Sequence, residues 1–124
     1  MSLYFTDEHQ WARIAEDGLT ATIGISQHAQ DALGDVVFVD LPAIGKTFAQ
    51  MDVGAIVESV KTAADVLMPV GGEVMEVNEA LRADPALANT DPMGTGWFMK
   101  VKLHPITAAL EIAKLIPESN YNPS

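Results

Sequence analysis

The chain has 124 residues, 17 acidic against 7 basic side chains, a net charge of −10 and no cysteine. That length suits one domain with one modest core. The acidic field repels phosphate backbones and anionic membrane surfaces, so neither a nucleic acid nor a membrane is expected as a partner; proteins with basic faces are. Without thiols there can be no disulfide, thiol nucleophile, iron–sulfur cluster or cysteine zinc site.

The opening segment MSLYFTDEHQW has no basic region followed by an apolar core, so no targeting peptide is expected. Residues 11–14 and 19–25 flank Glu16-Asp17-Gly18, a turn signal, and predict a hairpin. Residues 18–30 lack Asp, Glu, Lys and Arg, but they are too few and too polar to span a bilayer. Ser26 offers an N-cap for a short helix over 27–33 that Gly34 ends. Residues 35–41 (DVVFVDL) are rich in β-branched and aromatic side chains and stop at Pro42. Further strands are expected at 53–59, at 66–70 and, with charge and apolar residues alternating, at 73–78.

Residues 79–95 read as irregular, with helical turns near 79–82 and 85–88. Residues 97–103 (WFMKVKL) predict a last strand. Pro105 then opens a helix over 107–116, with apolar residues at Ile106, Leu110, Ile112 and Ala113, and Pro117 ends it. The tail ESNYNPS is expected to be frayed. Many short strands with turns between them predict a compact barrel or sandwich.

Little in this chain has the pattern of a catalyst. His9, His28 and His104 lack ligand spacing and read as solvated or capping residues. Gly71-Gly72 lacks the context of a phosphate loop, and neither Ser26 nor Ser59 sits in a nucleophile elbow. Asp7-Glu8 and Glu16-Asp17 read as solvated loop charges. Lys61 is different. The apolar runs VGAIVES and DVLMPVGGEV lie on either side of it, which places it at a hairpin tip among small neighbours. A primary amine on a rigid post suits covalent modification; a solubilising, edge-guarding lysine is the other reading these residues leave open.

The segment ESVKTAADVLMPVGGEVMEVN resembles the lipoyl-attachment region of the glycine cleavage H-protein family, with Glu58, Ser59, Val60, Lys61, Asp65, Pro69 and Gly72-Glu73-Val74 at the matching places. His9-Gln10-Trp11 falls where that family has His-Glu-Trp. Ile23-Gly24-Ile25, His28-Ala29-Gln30, the run from Leu33 to Val39, Leu41-Pro42, Asn89, Asp91-Pro92 and the run from Gly96 to Lys102 extend the likeness over nearly the whole chain.

The resemblance implies a mostly β fold, a flattened barrel-sandwich hybrid of two small antiparallel sheets. A short helix would follow the second strand, a second helix would lie near the C-terminus, and residues 1–124 would form one domain. It implies a carrier that is not itself an enzyme, with lipoate in amide linkage to Lys61. The arm would take an aminomethyl group from glycine decarboxylase (P-protein) to a tetrahydrofolate-dependent aminomethyltransferase (T-protein). Dihydrolipoyl dehydrogenase (L-protein) would reoxidise it. Glu58, Ser59, Val60 and Asp65 would present the turn to a lipoate ligase or octanoyltransferase. His9, Gln10 and Trp11 would border a cleft for the loaded arm. Gln10 departs from the family's Glu: an amide hydrogen-bonds an ammonium group, whereas a carboxylate also pairs with its charge.

A donor of lipoyl or octanoyl groups to other enzymes uses the same lysine and is the alternative function. A lipoyl domain of a 2-oxoacid dehydrogenase fits less well, because Lys61 follows Glu-Ser-Val and not Asp; a biotin carrier lacks its Met-Lys-Met. The expected compartment is the bacterial cytoplasm, or the mitochondrial matrix for a processed eukaryotic protein.

Overall fold

A computed structural model describes residues 2–122. Strands β1 (Ser2–Phe5), β2 (Gln10–Ile14) and β3 (Thr20–Ile25) form an antiparallel meander, and helix α1 (Gln27–Leu33) follows. Strands β4 (Val36–Asp40), β5 (Thr47–Phe48), β6 (Val53–Ser59), β7 (Ala63–Leu67) and β8 (Gly72–Val77) come next. Two short helices, α2 (Glu79–Ala83) and α3 (Leu87–Thr90), lead to β9 (Met99–Leu103), α4 (Ala108–Ala113), β10 (Ile116–Pro117) and a 3-10 turn at Glu118–Asn120. Among the described residues the strands make two antiparallel sheets, one ordered β10-β1-β2-β3-β9-β8-β5 and the other β4-β6-β7. This is a barrel-sandwich hybrid. No helix of the described residues is long and apolar enough to cross a membrane.

Alternation builds the core. Along β3 and β9, Ala21, Ile23, Met99 and Val101 turn inward, and Val57, Val66 and Val74 meet them from the other strands. Each fully buried side chain of this size contributes about 1.5–3 kcal/mol. Gly24 leaves room for the Trp11 ring: a Cβ there would come within 2.6 Å of the indole.

Helix α1 begins and ends where the sequence indicates. The Ser26 hydroxyl accepts the Ala29 N–H at 3.1 Å, and Gly34 takes φ 81. It follows the third strand and not the second, because Ser2–Phe5 is a strand that local pattern did not reveal. The strand expected over 66–70 lies instead at Ala63–Leu67. Pro69 has no N–H for a ladder, while the Met68 N–H and C=O are taken by the Asp52 carbonyl and the Met51 amide. The last strand starts at Met99, not at residue 97.

The C-terminal helix is shorter than expected, and its apolar spacing misleads. Ile106 and Leu110 are exposed, and Ala108 and Leu115 supply the buried contacts. Pro117 does not stop that helix; it pairs with Tyr4 in β10. Nor is the described part of the tail frayed: the Tyr121 ring stacks on Phe5 with centroids 3.8 Å apart. Pro123 and Ser124 lie outside the described residues.

Candidate functional site

β6 and β7 pair from Val53↔Leu67 to Glu58↔Ala63, and the turn between them carries Lys61. Ser59 builds the turn. Its N–H donates to the Thr62 carbonyl at 2.7 Å, and its side-chain oxygen accepts the Thr62 N–H at 3.2 Å and the Lys61 N–H at 3.4 Å. The Val60 N–H donates to the Asp35 carbonyl at 3.0 Å, which pins the tip to the start of β4. Ser59 is buried, while Val60 and Lys61 are exposed. The rigid part of the turn thus faces inward and the amine faces water.

Two further residues shape the platform behind the amine. The Lys61 stem lies over Gly34, so that a Cβ on Gly34 would stand 3.3 Å from Lys61 Cε. Asn89 on α3 holds this region from beneath. Its Oδ1 accepts the Val36 N–H at 2.8 Å, and its Nδ2 donates to the Gly34 carbonyl at 2.8 Å and to Gln30 Oε1 at 2.9 Å. Asn89 belonged to a matching block in the sequence, but its three partners lie more than 50 positions away and no local pattern gave it a task.

Beside the tip runs a cleft of about 490 Å³. One wall is β7, which pairs only with β6 among the described residues, from Ala64 to Leu67. The other wall is α1, through His28, Ala29, Ala32 and Leu33, with Glu8, His9, Gln10 and Ile25 beside it. Leu33, next to Gly34, and Ala64, three residues after Lys61, both line the cleft, so one end of it lies near the Lys61 turn. Its lining is mostly apolar, with the polar groups of Glu8, His9, Gln10, His28 and Asp65 added.

His9 and Gln10 therefore border the cleft, and Asp65, expected only at the turn, lies in its wall. Trp11 does not. It is fully buried on the next position of β2, its Nε1–H donating to the Ile25 carbonyl at 2.9 Å and to the Pro92 carbonyl at 3.1 Å. Period-two alternation turns it to the opposite side of the strand from Gln10, so the expectation that it borders the arm is corrected. Gln10 is buried, and its Oε1 accepts the Thr6 hydroxyl at 2.6 Å. Glu58 is exposed on the outer face of the small sheet, opposite Phe38 and Ala63. Tyr121, expected in a loose tail, reaches the border of the cleft: His9 Nδ1 lies 2.6 Å from its hydroxyl oxygen.

Among the described residues no group of His, Cys, Asp and Glu is placed to hold a metal. What the arrangement offers is an exposed primary amine on a braced turn, next to an apolar slot. No described carboxylate forms an ion pair with Lys61. An aliphatic arm on Lys61 would have an apolar wall nearby, so the residues present fit such a group.

A sequence model described as Glycine cleavage H-protein matches residues 3–123. The chain is 54% identical over 119 residues to "Glycine cleavage system H protein 2" of Pseudomonas syringae pv. tomato, covering 96% of this chain and 90% of that protein. It is 51% identical over 100 residues to "Glycine cleavage system H protein" of Chromobacterium violaceum, covering 81% and 77%. The crystal structure of a glycine cleavage system H protein from Mycobacterium marinum superposes with a TM-score of 0.82 at 37% identity, covering 95% of this chain and 91% of that one. With nearly its full length matched by the family model, this chain belongs to the glycine cleavage H-protein family.

Proposed function

We propose that residues 1–124 form one lipoyl-carrier domain and that Lys61 is its attachment point. The family is one of carriers, not catalysts, and the chain's own groups agree with that role. The observation that carries the reading is the Ser59-braced turn, which carries an exposed lysine close to an apolar cleft. When attached, the lipoyl group supplies the redox and group-carrying chemistry for which a cysteine-free chain has no residue.

The chain's residues do the remaining work. Ser59 and the Val60–Asp35 bond keep the amine in one place for the lipoate ligase or octanoyltransferase that acylates it. That enzyme must cover the tip, and the outer face of the small sheet suits the contact. Phe38 and Ile56 stand half exposed beside Asp40 and Glu58, which call for a basic counter-surface. Asp65 and the α1 wall flank the stem of the arm, while Gln10 and His9 lie along the slot. The glycine decarboxylase, the tetrahydrofolate-dependent aminomethyltransferase and dihydrolipoyl dehydrogenase then meet one tethered group in turn, at high effective concentration once docked. The cytoplasm of a bacterium is the compartment this reading assigns.

The test is the mass of the protein after co-expression with a lipoylating enzyme and lipoate. One lipoyl group is expected, mapped to Lys61 and absent from Lys61→Arg. An unmodified mass, with a control carrier modified in the same cells, would overturn the proposal. Acylation at Lys61 without turnover by glycine decarboxylase would favour the lipoyl- or octanoyl-donor role.

A further inference from the structure

Asn89 commits its whole side-chain amide to residues far from it in the chain. Its Oδ1 accepts the Val36 N–H at 2.8 Å, and its Nδ2 donates to the Gly34 carbonyl at 2.8 Å. These two groups flank Asp35, so the amide grips the backbone on both sides of that residue, as a neighbouring strand does in a ladder. The second hydrogen of Nδ2 goes to Oε1 of Gln30, a buried residue of α1, at 2.9 Å. All three distances are those of full hydrogen bonds. The task needs an amide, because a carboxylate cannot donate and a hydroxyl donates only once.

What the clamp grips leads to the tip. The Asp35 carbonyl accepts the Val60 N–H at 3.0 Å, next to the Val36↔Ser59 pair of β4 and β6. The bonds of Ser59 to Lys61 and Thr62 lie within the hairpin, so they set its shape and not its place. The Val60 bond ties the hairpin to a segment outside it. On one side of Asp35, Gly34 lies so near the Lys61 stem that a Cβ there would stand 3.3 Å from Cε. One side chain on α3 thus holds both neighbours of the residue that anchors the tip.

We infer that Asn89 is a positioning residue for the acylation of Lys61: by gripping Gly34 and Val36 it fixes the Asp35 carbonyl that holds Val60, and so offers a lipoylating enzyme one presentation of the amine. The inference rests on the carrier reading for its reaction, and on the hydrogen bonds alone for the clamp. The Lys61 side chain is exposed and ends a flexible four-carbon stem, so the backbone of the tip is what the fold can order in advance. An enzyme that meets a mixture of tip conformations loses apparent affinity in proportion to the competent fraction.

The first experiment is amide hydrogen exchange by NMR in the unmodified protein, comparing wild type with Asn89→Ala at a temperature where both are folded. The Val60 amide is expected to exchange about tenfold faster in the variant, as loss of its fixed acceptor implies. The Ser59 amide, bonded to Thr62 inside the hairpin, should change far less. Equal acceleration of the two amides would mean lost stability alone, and no acceleration would mean that the anchor holds without Asn89; either would overturn the inference. Asn89→Asp, which retains the acceptor for Val36, should show the same effect in smaller measure, and it carries the test if the Ala variant does not fold.

The second experiment is steady-state lipoylation with the carrier as the varied substrate. In Asn89→Ala the KM for the carrier is expected to rise about tenfold with kcat little changed, the outcome when about a tenth of the molecules hold the competent tip. Acylation of Lys61 by a small N-hydroxysuccinimide ester should keep its wild-type rate, because the amine is exposed with or without the clamp. An unchanged KM would show that the enzyme does not read the order of the tip. A slower reaction with the small ester would show that the amine has become covered. Either result overturns the positioning role while the carrier reading stands. Failure of the wild type to accept lipoate would instead overturn the carrier reading, and with it the reaction assigned to Asn89, whatever the amide exchange shows.

Discussion

The stem of Lys61 lies across Gly34, where a Cβ would stand 3.3 Å from the lysine Cε and 3.8 Å from its Nζ. Gly34 has φ 81 and ψ −161, a conformation reserved almost entirely for glycine. One residue thus ends helix α1, sets the direction of the chain into β4 and leaves a smooth surface for the amine. Gly34→Ala meets a flexible side chain, which moves aside cheaply, and a backbone that does not. The expected loss of stability is about 1–3 kcal/mol from the backbone alone. Denaturant unfolding of the Ala variant measures it, and an unchanged midpoint would show that the backbone relaxes to another conformation.

Asn89 is the residue whose loss should reach furthest from its own position. It bonds the Val36 amide, the Gly34 carbonyl and the Gln30 side chain, and so joins α3 to both ends of the segment beneath Lys61. Asn89→Ala leaves the Val36 N–H without its acceptor in a partly buried place. A cost of about 2–4 kcal/mol follows, from one unsatisfied amide plus the other lost bonds. Asn89→Asp keeps the acceptor and loses both donated bonds, so it should fall between wild type and Ala. Thermal unfolding of the three proteins orders them, and equal stabilities would contradict this account of the bonds.

These two residues also mark the reach of sequence reading. Strand β6 is found at the predicted positions because its apolar residues alternate and Ser59 ends it, and α1 is found because Ser26 and Gly34 are local cap signals. Lys61 stands out for the same reason, a lysine between two apolar runs. What fails is whatever depends on distant partners. Ser2–Phe5 becomes a strand by pairing with β2 on one side and β10 on the other. Tyr121 looks like tail residue until its bond to His9, 112 positions away, is known. Ile106 and Leu110 imitate a buried helix face, yet α4 turns them to water and buries Ala108. Gln10 and Trp11 are neighbours in a motif, and alternation along β2 sends one to the cleft and the other to the core.

The tip itself depends on Ser59, whose side-chain oxygen accepts from both residues that follow Val60. Ser59→Ala removes that acceptor from a buried position and should cost about 1 kcal/mol. The larger effect is expected on acylation: a looser tip presents the amine in many places, so kcat/KM for lipoylation should fall several-fold, about 1 kcal/mol in transition-state terms. Ser59→Thr retains the oxygen and should recover most of the rate. Lys61→Arg should abolish modification with stability unchanged, because the side chain is exposed. Full-rate acylation of the Ala variant would separate turn geometry from recognition.

Asp91 gives a pH effect that can be tested. It caps the loop between α3 and β9 by accepting the Thr95 N–H at 2.9 Å and the Thr95 hydroxyl at 3.0 Å. The backbone bond, then the side-chain bond, hold its carboxyl below the ordinary value of 3.8, with only slight opposition from desolvation. A carboxyl whose folded pKa lies below its unfolded one contributes stability that is complete above the unfolded value and lost as pH falls through the folded value. The contribution should therefore be intact above about pH 5, begin to fall near pH 3.8 and be gone only below the still lower folded value. The group is fully exposed, so the effect on global stability is small and the test is local. A carbon-13 titration of the Asp91 carboxyl should give a midpoint below 3.8 that rises in Thr95→Val, where the backbone bond stays and the hydroxyl is gone. A midpoint at or above 3.8 in the wild type would mean that the loop bonds do not persist in solution, and Gly94, packed against this carboxylate, would then tolerate alanine.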